Sequence, residues 1–164
     1  MYRVLGIDPG LRVTGYGLVE LSATVIEPAL VEAGVIRLNG KHPLEQRLDL
    51  LYKDVDSLLD EFSPDRLAVE KLYVHYRHPR TAILMAHARG IILLCARQHG
   101  LPVEHLPATE VKKAVCGYGH ASKYQVQCAV QAQFGLKEMP SPPDVADAIA
   151  IALCHAQRLM VSRL

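Results

Sequence analysis

The 164-residue sequence predicts a single mixed α/β domain. Three observations carry that reading. Three short apolar runs follow one another at the N-terminus with short links, as in an antiparallel meander. Helical and strand periodicities then alternate. The last third reads as helix. Half of the residues are apolar and 21% are charged, a globular composition. A chain of this size buries roughly 70% of its unfolded surface, so a core is expected without metal or disulfide staples.

Residues 2–7 fit a central strand, ended by Asp8, Pro9 and Gly10, since proline cannot continue a ladder. Residues 13–21 read as a second strand with Val13, Gly15, Gly17 and Val19 on one face. Its two glycines mark a place where something large approaches the sheet. A third strand lies near 30–38. Pro43 opens a helix whose Leu44, Leu48, Leu51, Val55, Leu58 and Phe62 repeat every three or four residues. Ser63, Pro64 and Asp65 close it before a strand over 66–70. Residues 71–78 read as a polar, aromatic loop, and 80–99 as a long helix ending at Gly100. In that helix Ala82, Ala86 and Gly90 form a small-residue track suited to close packing. A fifth strand (103–106) and a short helix (108–115), broken at Gly117, follow. Two capping boxes open the last helices, one from Ser122 to Gln125 and one from Ser141 to Asp144 with Pro142 at the first helical position. The domain is expected to span 1–160, with 161–164 as a short tail.

The longest strongly apolar run, residues 91–94, is too short to span a bilayer, and no basic start precedes an apolar segment. The expectation is therefore a cytoplasmic protein without membrane contact. Cys95, Cys116, Cys128 and Cys154 form no Cys-x-x-Cys pair. They read as small hydrophobes rather than as disulfides or a zinc cluster.

The net charge of +1 hides an uneven distribution. Residues 1–70 carry −5, residues 71–123 carry +6 together with six of the eight histidines, and the remainder is neutral. A basic middle segment suits an anionic partner such as nucleic acid, although ordinary surface charge explains it equally well.

Four acids stand out. Asp8 and Glu70 end the first and fourth strands, where open α/β sheets place their sites. Asp144 and Asp147 share a helix face, and Asp147 sits among Val145, Ala146, Ala148 and Ile149. Each has a plainer explanation: turn former, strand-end surface residue, or helix N-terminal acid. Together they would suit two hard divalent cations, Mg²⁺ or Mn²⁺, about 3.5–4 Å apart. Phosphoryl transfer uses such a pair to activate water and steady the leaving oxygen.

The chain resembles the RuvC family of bacterial Holliday junction resolvases. The resemblance rests on Gly6-Ile7-Asp8-Pro9-Gly10, Arg12-Val13-Thr14-Gly15-Tyr16-Gly17, Ala68-Val69-Glu70 and Ala88-Arg89-Gly90. It continues through Val111-Lys112, Gly117 and Gly119, Ala121-Ser122-Lys123, Gln125-Val126, and the run from Asp144 through Asp147 to Ala152 and His155. These blocks stand in family order over residues 3–158. The resemblance implies an RNase H-like fold, a five-stranded mixed sheet flanked by helices. It implies a homodimer that nicks two like-polarity strands of a four-way junction symmetrically, leaving 5′-phosphate and 3′-hydroxyl ends. It also implies two metal ions per subunit and a RuvAB branch-migration partner. The catalytic and metal-binding acids fall on Asp8, Glu70, Asp144 and Asp147; some members carry histidine where this chain has Asp144. DNA-binding residues fall on Lys112 and Lys123, with Lys113 adding to the patch and Arg12, Arg77, Arg80 and Arg89 as weaker candidates; Arg89 equally suits an ion pair with a core-edge carboxylate. His155 reads as a packing group or a neighbour of the ligands.

One departure concerns the loop after Glu70, where the family usually has phenylalanine and this chain has Tyr73, with Tyr76 nearby. Tyrosine stacks on a base, a contact of roughly 1–3 kcal/mol, but its hydroxyl needs a polar partner. Tyr73→Ala is expected to weaken cleavage more than junction binding; equal cleavage by variant and parent at saturating protein would refute this. Three other readings stay open: an RNase H-like nuclease for hybrids or flaps, a non-catalytic junction binder, and an actin-like ATPase, for which the chain is short of a second lobe.

Overall fold

The computed structural model describes residues 1–22, 27–72 and 79–162. Tyr73, Tyr76 and Arg77 lie outside the described residues. The elements are β1 (Tyr2–Asp8), β2 (Val13–Leu21), β3 (Ala29–Arg37), α1 (Leu44–Phe62), β4 (Arg66–Glu70), α2 (Pro79–Gln98), β5 (Val103–Leu106), α3 (Ala108–Cys116), α4 (Lys123–Phe134) and α5 (Pro143–Val161).

The strands form one sheet in the order β3-β2-β1-β4-β5. The first three pair antiparallel, as the short links require, and β1, β4 and β5 run parallel. The predicted five-stranded mixed sheet is therefore present. Strand alternation sorts the side chains onto two faces. Leu5, Ile7, Leu18 and Leu67 face α1 and α2, whereas Val4, Val19, Ala68 and Leu106 face the α3–α5 layer. By the same alternation Asp8 and Glu70 point to the α5 side.

Helix α5 lies across β1 and β2. Residues 148–156 are buried throughout, as expected for a helix apolar on every side. Three glycines permit this approach. Gly6 and Gly17 pair across β1 and β2, and Gly15 pairs with Asp8. A Cβ on Gly6 would lie 2.3 Å from the Ala148 carbonyl oxygen, one on Gly15 2.0 Å from that of Asp144, and one on Gly17 2.9 Å from the Ile149 Cα. The large object anticipated from the β2 glycines is thus α5.

Helix α1 buries Leu51, Val55 and Leu59 and stops at Ser63, which adopts the left-handed conformation (φ 42°) and donates its N–H to the Leu59 carbonyl. The Ser122 box forms as expected: the serine hydroxyl accepts from the Gln125 N–H, and the Gln125 side chain accepts from the Ser122 N–H. The Ser141 box does not form. Pro142, not Ser141, is the N-cap of α5, with extended backbone and no side-chain cap bond, and Pro143 begins the helix. The reason is local: Pro143 bars the residue before it from helical geometry.

The small-residue track of α2 also differs from expectation. Ala82 is buried, but Ala86 and Gly90 face outward, and a Cβ on Gly90 would meet nothing within 4 Å. The packed side is Ala82, Ala88, Ile92, Cys95 and Ala96. By length and composition alone α2 is apolar enough to cross a membrane, which residues 91–94 alone did not suggest. Its inner side is nevertheless part of the core against α1.

Candidate active site

The parallel pairing of β1 with β4 matches Ile7 to Val69, so Asp8 and Glu70 emerge side by side at the carboxyl ends of neighbouring strands. The glycine-lined approach of α5 brings its first turns over the same point. Asp144 and Asp147 join them there from a helix N-terminus, which favours negative charge. The four acids are close enough to perturb one another. Burial, followed by Asp147, Glu70 and Asp144, pushes the Asp8 carboxyl up to about 8, with Lys123 opposing. Burial and then Asp147 raise Glu70, while Lys112 and Lys123 oppose the rise. Burial also raises Asp147; Lys123 offsets part of this, with its ammonium 3.6 Å from the carboxylate.

The backbone around the acids is braced. Buried Thr14 accepts from the Gly10 N–H and donates to the Gly10 carbonyl, fixing the turn after Asp8. Arg89 donates to the Glu70 carbonyl at 3.1 Å and meets the His105 ring. It thus holds Glu70 through the backbone.

A groove of about 570 Å³ opens beside the acids, lined among others by Asp8, Asp144, Arg12, Arg47 and Lys123. A smaller recess joins Asp8 and Glu70 to Lys71 and Arg89. Lys112 and Lys123 therefore gather at the acids, and Arg12 lines the groove. Lys113 instead lines a separate cleft with Glu110 and Arg158, between α3 and α5. Arg80 is exposed at the start of α2. Sequence reading missed Arg47 and Lys71. Arg47 donates to the Leu11 carbonyl at 3.3 Å, and its Nε is buried without a partner among the described residues. A clue existed, since Arg47 lies on the apolar side of α1, three residues after Leu44 and four before Leu51.

Residues 4–155 match the sequence model of the family described as crossover junction endodeoxyribonuclease RuvC. The chain belongs to the RuvC family. A RuvC protein of Rhodopirellula baltica is 46% identical over 151 residues, covering 92% of this chain and 84% of the relative. One of Desulfitobacterium hafniense is 44% identical over 153 residues, covering 93% and 91%. Among solved structures, Thermus thermophilus RuvC in complex with a Holliday junction substrate superposes with a TM-score of 0.88 at 34% identity, over 99% of this chain and 97% of that one. The yeast mitochondrial resolvase Ydc2 shares the fold, with a TM-score of 0.66 at 14% identity over 99% and 86%. The RNase H-like sheet expected from the resemblance is thus the observed one.

Within this RuvC fold, His155 is a packing residue. It is 4% exposed, and neither ring nitrogen has a hydrogen-bond partner among the described residues. Burial lowers its pKa, with Arg66 and Arg158 reinforcing and Glu104 opposing. A histidine held neutral contributes stability above its unfolded pKa of about 6.5, and that stability is lost as pH falls toward the lowered folded value. Denaturant titrations at pH 7.5 and 5 should show a smaller acid loss in His155→Leu than in the parent. Identical losses would remove His155 from the acid response.

Proposed function

We propose that this chain is a Holliday junction resolvase: a metal-dependent endodeoxyribonuclease that makes paired, symmetric nicks in four-way DNA junctions and leaves 5′-phosphate and 3′-hydroxyl ends. The convergence of four carboxylates beside a cation-lined groove carries the reading, and family membership supports it.

The donor set fits hard divalent cations. Three of the four acids are raised by burial and by one another, so charge that binds there relieves an existing repulsion. All-oxygen ligands suit Mg²⁺ or Mn²⁺. Asp8, Glu70, Asp144 and Asp147 would hold two ions per subunit. When bound, they supply charge for the phosphoryl transition state and a more acidic attacking water. The chain's own part is positioning. Arg89 and the Gly10–Thr14 turn fix the two strand-end acids, and α5 carries the other two as one rigid piece. Lys112, Lys123, Lys113, Arg12, Arg47, Arg77 and Arg80 contact phosphates, which makes binding steeply salt-dependent. Tyr73 stacks at the junction centre.

The enzyme acts as a homodimer, so that two identical sites meet two near-equivalent strands. The outer side of α2 supports this. Ile83 (59% exposed), Ala86, His87, Gly90 and Leu94 (50% exposed) form one stripe at helical spacing. A cytoplasmic setting and a RuvAB partner complete the proposal.

The test is cleavage of a synthetic four-way junction beside linear duplex and an RNA–DNA hybrid, with Mg²⁺, with Mn²⁺ and with chelator. Ligatable symmetric nicks in the junction alone, lost on chelation, are expected. Cutting of the hybrid instead would replace the substrate, and binding without cutting in either metal would overturn the enzymatic reading.

A further inference from the structure

A second group of metal-ligating side chains lies away from the acids. Cys95, in the last turn of α2, and His99, just past its end, are four residues apart and face Asp56 and Asp60, one turn apart on α1. Among the described residues, Asp56, Cys95 and His99 are the one His/Cys/Asp/Glu trio whose ligand atoms all lie within 4.8 Å of one another. Helix α2 starts beyond the carboxyl end of β4 and returns to the start of β5, so its last turns sit at the sheet end opposite Asp8 and Glu70.

We propose that Asp56, Cys95 and His99 form a metal site for a borderline cation such as Zn²⁺, with Asp60 orienting the histidine.

The existing contacts resemble a site whose cation is replaced by protons. Asp56 Oδ1 takes both the His99 Nε2 contact, at 2.7 Å, and the Cys95 thiol, at 3.9 Å. A tetrahedral zinc with usual bond lengths separates sulfur from oxygen by about 3.5 Å and nitrogen from oxygen by about 3.3 Å. The sulfur–oxygen and nitrogen–oxygen separations therefore need to change by only about 0.4 and 0.6 Å. The other ring nitrogen, His99 Nδ1, faces Asp60 Oδ1 at 3.8 Å. A carboxylate on the second nitrogen is the arrangement that fixes tautomer and ring plane in zinc-bound histidines. Cys95 is fully buried, whereas His99 is exposed and gives a cation access from solvent, with a water to complete four ligands. On binding, the sulfur gives up its proton to solvent and forms the metal–sulfur bond; no redox step is involved. One thiolate and one imidazole select Zn²⁺ or Co²⁺ over Mg²⁺, so the two sites sort cations by ligand softness. The site clasps α1 to α2 and plays no part in cleavage. The proposal does not rest on the nuclease reading.

Co²⁺ is the probe, titrated into chelator-treated protein with excess Mg²⁺ to occupy the carboxylates. One equivalent should produce sulfur-to-cobalt charge-transfer absorption and tetrahedral visible bands. Cys95→Ala should abolish the former, and His99→Gln should weaken binding at least tenfold. Asp60→Asn should keep the spectrum with roughly 10–100-fold weaker affinity. Zn²⁺ about 100-fold above its Kd should raise the parent's Tm by roughly 5–10 °C, and that of Cys95→Ala by far less. Cys95→Ala should retain Mg²⁺-dependent cleavage. Absence of the charge-transfer band, an equal Tm rise in parent and variant, or loss of the band in Asp8→Asn would each overturn the site. If Cys95→Ala does not fold, the exposed His99→Gln variant decides the matter.

Discussion

Asp8→Asn is expected to cut junctions about 10³-fold more slowly or worse, while binding them within a few-fold of the parent. Asparagine keeps the shape of Asp8 but cannot offer an anionic ligand from the most buried corner of the cluster. The same change should stabilise the metal-free protein. Folding raises the Asp8 carboxyl to about 8 from an ordinary value near 3.8. The folded chain then holds a proton that the unfolded chain releases, so stability falls as pH rises between those values. Above about pH 8 the full cost is present, of the order of a few kcal/mol. With chelator at pH 8 the variant should resist denaturant better than the parent, and the two should converge near pH 4. Cleavage at the parental rate, or equal stability at pH 8, would contradict the assigned role.

Gly15→Ala is the second large effect. Its new Cβ would lie 2.0 Å from the Asp144 carbonyl oxygen and 2.6 Å from the carbonyl carbon. Both are backbone atoms and cannot rotate away. Helix α5 must lift at its first turn and take Asp144 and Asp147 with it. A loss of about 3 kcal/mol is expected, with cleavage reduced even where the protein stays folded. Within one chain Gly90→Ala is the contrast, and any loss it shows reports on the proposed dimer stripe of α2. Its Cβ would meet nothing within 4 Å of the chain, and alanine favours a helix interior by about 0.5–1 kcal/mol. Chemical denaturation of both variants separates the cases, and a Gly15→Ala protein as stable and active as the parent would mean that the glycine does not set the position of α5.

Most elements were legible because local chemistry marks their ends. Ser63, Gly100 and Gly117 stop helices with left-handed backbone, and Ser122 starts one with a reciprocal cap. The acids were legible because strand ends and a three-residue helical spacing are local facts. What depended on packing was not. Composition alone does not say whether Ala86 and Gly90 are covered by the chain's own core, and they are not. Arg47 and Lys71 reach the cleft through the way α1 and β4 meet the first loop, which no local pattern encodes. At Ser141 two prolines in succession set the geometry and exclude the box. Cys95 found a plain reading as a small hydrophobe; only the docking of α1 on α2 sets Asp56 and Asp60 against it and His99.

Helix α5 is both the most enclosed helix and the carrier of half the acids. In native-state hydrogen exchange, amides in such a segment open only with the whole molecule, while frayed ends and loops open earlier. Asp147 directly precedes the last part of the chain to let go, and Asp144 lies one turn before it. Partial openings elsewhere are then expected to leave their spacing intact. Heat inactivation should accordingly coincide with the global melt instead of preceding it.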